Sequence, residues 1–133
     1  MEKIYRIKIT EEYAPDDEPI VLDWLISVDE SVTEEKLNEI VEDAIRAKSL
    51  LDEAYEFNED AETINELIES DGDIRENFED FLTKRPYFKD FCIYSWNGLG
   101  WDDRLYEPME FIMKNEGIKY KDAEFTTIEN SCN

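Results

Sequence analysis

The sequence predicts a single α+β domain: a small, mostly antiparallel sheet with about three acidic amphipathic helices packed on one side and a short fourth helix. Three observations carry that expectation. Apolar residues alternate with period two near the N-terminus, they recur at helical spacing through the middle, and β character returns near the end. At 133 residues, with 41% apolar and 13% aromatic content, there is enough to fill one core. No Pro/Gly/Ser linker or internal repeat divides the chain.

Ile4, Arg6 and Lys8 oppose Tyr5, Ile7 and Ile9, which reads as a strand from about Lys3 to Thr10. Glu11 to Pro19 is a polar loop, and Ile20 to Val28 is a second, more buried strand, so the pair forms a hairpin with a long connection. Ser31 or Thr33 can cap a first helix whose opening acids suit the positive end of its dipole. Leu37, Ile40, Val41, Ala44, Ile45, Lys48, Leu51 and Tyr55 continue it at helical spacing. A second helix is expected over Asp60 to Glu69, stopped by Asp71-Gly72, and a third over Asp73 to Thr83, closed by Pro86. Phe91 to Trp96 reads as a strand and Asn97 to Gly100 as a turn. Trp101 to Tyr106 is a further short strand, and Glu107-Pro108 opens the fourth helix, which ends at Gly117. Ile118 to Ile128 is the last strand candidate.

The chain carries 36 acids and 14 bases, a net charge of −22. Such a protein repels nucleic acid and anionic membranes. There is no His, which excludes Ser-His-Asp and Cys-His catalysis and His-ligated metals. Two cysteines cannot build a four-cysteine zinc site or a disulfide scaffold. Cys92 is expected in the core and Cys132 near a mobile end, neither with a catalytic partner. No signal-like or membrane-length apolar run occurs, so a cytoplasmic protein with reduced thiols is expected. Halophilic adaptation also produces acidity, but Lys is not depleted and Ile and Asn are plentiful.

No catalytic motif emerges. Asp16-Asp17 and Asp102-Asp103 are adjacent pairs of the kind chance supplies in so acidic a chain. Asp71-Gly72-Asp73 fails the EF-hand pattern and reads as a helix cap, and Gly98-Leu99-Gly100 lacks the third glycine of a dinucleotide loop. No enzyme, cofactor or metal is expected.

The acids are clustered: residues 29–83 hold 20 acids and 4 bases. At about 100° per residue, the first helix places Glu35, Glu39, Glu42 and Glu53 opposite its apolar stripe. The second groups Glu59, Glu62, Glu66 and Glu69, and the third groups Asp73, Glu76, Glu79 and Asp80. Solvated outer faces explain polarity but not a single sign, because Glu35/Glu39, Glu62/Glu66 and Glu76/Asp80 would be repelling pairs four residues apart. These twelve acids are the candidate partner-binding residues. Leu50, on the acidic side of the first helix, is a candidate apolar anchor, and Trp96, Trp101 and Tyr106 are either a contact patch or core.

Carboxylates one helical turn apart are separated by about 5.4 Å along the axis, against about 3.4 Å of rise per phosphate in a duplex strand. In charge, size and helical acid patterning the chain resembles the DNA-mimic inhibitors of phages and mobile elements, including anti-restriction proteins, anti-CRISPR proteins and inhibitors of DNA-repair glycosylases. It is similar in general style to acidic immunity proteins that neutralise nuclease toxins. The resemblance implies a non-enzymatic inhibitor that binds a positively charged nucleic-acid-binding protein, such as a nuclease, and touches neither nucleic acid nor membrane directly. An acidic adaptor domain without mimicry and a carboxylate–metal enzyme remain the other readings.

Overall fold

A computed structural model of the protein describes residues 2–11 and 20–122. The fold is α+β: among the described residues it has a three-stranded antiparallel sheet and four α-helices. The described residues form two compact units, one of residues 2–11, 20–38 and 117–122, the other of residues 39–116.

In the first unit β1 (Glu2–Glu11) and β2 (Ile20–Asp29) pair antiparallel along their whole length, from Glu2 opposite Asp29 to Glu11 opposite Ile20. β3 (Tyr120–Asp122) adds to the other side of β2. The period-two pattern sorts the side chains. Ile7, Ile9, Leu22, Trp24, Ile26 and Val28 are buried on one face, and Trp24 meets the Tyr120 ring edge-on at 5.4 Å. The opposite face carries Ile4, Arg6, Lys8 and Asp23. There Arg6 Nε donates to Asp23 at 2.8 Å and holds that carboxyl below the usual carboxylate range. The expected hairpin is therefore present; its connection, the expected strand beyond Asp122, and Cys132 lie outside the described residues.

Helical periodicity and capping set the helices; the first begins in the first unit, before residue 39, and the others lie in the second. α1 (Glu34–Ala54) starts where the Thr33 hydroxyl accepts from the Lys36 N–H, so Thr33, not Ser31, is its cap. A 3₁₀ turn, Tyr55–Phe57, ends it. α3 (Gly72–Lys84) begins at Asp71, whose carboxylate accepts from the N–H groups of Asp73 and Ile74. Ile74, Phe78, Phe81 and Leu82 are its buried side. Phe88, fully buried in the 3₁₀ turn Pro86–Asp90, packs edge-on against Phe81 and Phe111. No helix among the described residues is long and apolar enough to cross a membrane.

Several boundaries differ from expectation. α2 runs only from Ile64 to Ser70, so Glu59 and Glu62 precede it rather than lie on it. The reason is its cap: Thr63 Oγ1 accepts from the Glu66 N–H, and the Glu66 carboxylate reaches back past it to the Glu62 N–H at 2.6 Å. Thr63 also bridges to Cys92, with Ile93 N–H donating to the Glu62 carbonyl and Ile64 N–H to the Phe91 carbonyl. Phe91 to Trp96 is thus one isolated bridge followed by turns rather than a strand. Its alternation buries Phe91 and Ile93 and turns Cys92 outward, so the expected core cysteine is an exposed free thiol. Trp101 to Tyr106 is not a strand either, because α4 (Asp103–Asn115) starts well before Pro108 and carries that proline inside it. Burial of Leu105, Met109, Ile112 and Met113 at helical spacing outweighs the lost proline donor. Gly117 follows with φ +73°, the left-handed stop that glycine accepts without strain.

The Thr63 cap accounts for where that short helix begins, and Thr63→Ala should cost about 1 kcal/mol, read as a lower urea midpoint with an unchanged slope.

Candidate functional site

The acids of the second unit fall into two sets with different partners. One set is neutralised. Arg85 is 3% exposed, and its Nε donates to Asp43 at 2.6 Å. Its Nη1 donates to the Tyr87 hydroxyl at 2.9 Å and to Glu116 at 3.3 Å. Lys84 Nζ lies 3.0 Å from Glu39 and 3.1 Å from Asp43. Glu39 first, and then Asp43, hold the Lys84 ammonium above the ordinary lysine range. For Arg85 burial acts against the charge, but Asp43 and Tyr87 outweigh it and its pKa is raised. A second cluster is centred on Asp52, which accepts from Lys48 Nζ at 2.7 Å, Trp96 Nε1 at 3.0 Å and Arg104 Nη1 at 2.9 Å. The Arg104 guanidinium also lies 5.6 Å from the Trp96 ring centre. Trp96 is therefore core rather than a contact patch, being 2% exposed.

The other set is not neutralised. Between residues 59 and 80 the chain carries ten acids, all exposed, and one base, Arg75. None of the ten forms an ion pair among the described residues, and the hydrogen bonds their carboxylates accept are local. Glu66 serves the α2 cap, Asp71 the α3 cap, and Glu69 accepts from Asn65 at 3.0 Å.

Set beside these findings, the twelve candidates separate. Glu42, Glu53, Glu59, Glu62, Glu69, Asp73, Glu76, Glu79 and Asp80 are exposed, as is Glu35 at the start of α1. Glu39 belongs instead to the Lys84 and Arg85 network, and Glu66 serves as a cap. Of the three expected repelling pairs, Glu35/Glu39 is relieved by Lys84, and Glu62/Glu66 is not on one helix. Glu76/Asp80 remains, four residues apart on α3. Asp43 meets Arg85 42 residues away, and Asp52 meets Trp96 and Arg104 44 and 52 residues away, so these pairings carry no local sequence signal; Lys48, four residues before Asp52, is its local partner.

Leu50 is partly exposed and shares the wall of a cavity with Ile74 and Phe78. A wider groove between α2 and α3 has Ile68 and Leu82 in its lining, with Glu69, Glu76 and Glu79 beside Arg75 and Lys89. No group of three or more candidate metal ligands occurs among the described residues. Among known families, curated proteins and solved structures, none matches the chain.

Two outcomes follow from these charges. Asp43→Ala leaves Arg85 buried without its main partner and should cost about 3 kcal/mol, measured by urea unfolding; adding Arg85→Met should restore part of the loss. On α4, loss of hydration, and then the like charges of Glu110 and Asp103, hold the exposed Glu107 carboxyl above the ordinary glutamate range. A raised carboxyl contributes stability in acid that is lost as pH rises through its folded-state titration. Glu107→Gln should therefore be more stable than the parent at neutral pH. The difference should vanish below about pH 4, where both states of the parent are protonated. Urea midpoints across pH 3 to 8 check this.

Proposed function

We propose that the protein is a non-enzymatic inhibitor that occupies the phosphate-binding channel of a basic nucleic-acid-binding protein, a nuclease or related effector. The single observation behind this reading is the run of ten exposed acids between residues 59 and 80, none ion-paired among the described residues. Elsewhere in the same unit, cations sit on carboxylates. Cations are thus available to the chain, yet this stretch holds only Arg75.

A surface of unpaired carboxylates attracts a basic channel over a Debye length of about 8–10 Å. Contact would release the channel's bound counter-anions much as DNA binding does, so affinity should fall steeply with salt. Recognition would need no reaction chemistry from this chain. It needs carboxylates held at fixed spacing, and the caps at Thr63 and Asp71 hold the starts of the two helices that carry them.

The test begins with capture of a partner from bacterial lysate at low salt and elution with a salt gradient. Binding to that purified partner is then measured in competition with duplex DNA. Glu62→Lys, Glu76→Lys and Asp80→Lys together are compared with Glu30→Lys, Asp90→Lys and Glu110→Lys, which are exposed and lie outside the stretch. Both triples change net charge equally. The first should weaken binding by at least about a hundredfold, since each desolvated pair lost is worth on the order of 2 kcal/mol or more, and the second by far less. Equal weakening would mean that net charge alone acts and would refute mimicry. Binding that does not compete with DNA would do the same.

A further inference from the structure

We infer that the cavity between the C-terminal end of α1 and α3 is a receptor for one lysine or arginine side chain of the basic partner protein. The inference rests on the proposed function for the source of that side chain and goes beyond it in giving a particular contact.

The cavity measures about 340 Å³, near the lower limit of about 300–1,000 Å³ for ligand pockets. Leu50 and Ala54 from α1 and Ile74 and Phe78 from α3 give it apolar walls. Ile74, Phe78 and Ala54 are buried, and Leu50 remains partly exposed, so Leu50 offers the accessible apolar surface. Glu53 and Glu56 are its only charged lining residues, both exposed, and the remaining one, Asn77, is neutral. Long cationic side chains match this pairing: they lay a methylene stem on apolar surface and keep the charged head at a polar rim.

Two comparisons within the unit strengthen the assignment. The groove between α2 and α3 already has Arg75 and Lys89 in its lining, whereas this cavity has no cation of its own. α3 and α4 each carry a lysine in the last turn, where a cation complements the negative end of the helix dipole. α1 has none in its last turn and places Glu53 there instead. An incoming ammonium or guanidinium would meet two carboxylates at a helix end with no basic residue of its own in the last turn.

The experiment titrates methyl-labelled full-length protein with three blocked tripeptides, Ac-Gly-Arg-Gly-NH2, its lysine counterpart and its norleucine counterpart. The arginine and lysine peptides should move the Leu50, Ala54 and Ile74 methyl resonances saturably, and norleucine, which keeps the stem and lacks the charge, should bind more weakly. Glu53→Gln with Glu56→Gln should weaken the cationic peptides about fivefold and leave norleucine unchanged. Leu50→Ala should weaken all three. Cationic peptides that shift the Glu62, Glu66 and Glu69 amides but leave these methyls still would overturn the cavity assignment while the acidic-surface reading stands. Equal binding of norleucine would overturn it too, since charge would then play no part. Methyl shifts as expected, in a protein that fails to compete with DNA for its partner, would support the cavity and refute the mimic.

Discussion

The buried charge of Arg85 is the constraint on which the second unit depends. A guanidinium 3% exposed is tolerable only if carboxylates and hydroxyls surround it. Asp43 from α1, Tyr87 from the turn after α3, and Glu116 at the end of α4 supply acceptors to its Nε and Nη1 from three separate places in the chain. The pairing ties α1 to the end of α3 and to the end of α4, while the phenylalanines at 81, 88, 91 and 111 pack the apolar part of the core. Directional charge contacts add alignment to what non-directional burial holds together.

That constraint also sorts the acids. Lys84 and Arg85 meet Glu39, Asp43 and Glu116, and Lys48 and Arg104 meet Asp52. With these four cations committed to structural pairs, the stretch from 59 to 80 keeps its negative charge unbalanced. Adding lysines there would relieve repulsion and support the helices through pairs four residues apart. The sequence places one arginine in the whole stretch. Solubility alone asks for charge of either sign, so the uniform sign is what singles this surface out.

The parts of this fold legible in the sequence are those fixed by local rules. The β1–β2 pairing follows from strict alternation, and α3 follows from Asp71 at its cap and Ile74, Phe78 and Phe81 at helical spacing. Exposure of the acidic faces was legible for the same reason. Where two local rules competed, the reading failed. Asp60 could have opened α2, but Thr63 with Glu66 forms the better cap, and the bridge to Cys92 holds the preceding backbone extended. Pro108 looked like a helix start until the apolar repeat from Leu105 to Met113 took precedence. The pairings of Asp43 with Arg85, and of Asp52 with Trp96 and Arg104, were not legible, because the partners lie 42 to 52 residues apart. Helical spacing sets Asp43 beside Ile40 and Ala47 on the apolar side and Glu42 on the outer one, but nothing near Asp43 in sequence points to Arg85 as its partner.

The two groups of carboxylates also differ in what makes them rigid, and this bears on recognition. A flexible acidic tail could attract a basic channel, but it would lose conformational freedom on binding. Here the acids sit on elements whose starts are held by side-chain caps, and α2 has its buried residues Ile64, Leu67 and Ile68 in the core. The caps themselves use acids, Glu66 and Asp71, so part of the negative charge fixes the geometry in which the rest is displayed. An acid-rich stretch in which some carboxylates serve as structural acceptors and their neighbours stay unpaired combines order with unbalanced charge. Order reduces the entropy lost on association, and the unbalanced charge supplies attraction to a basic surface.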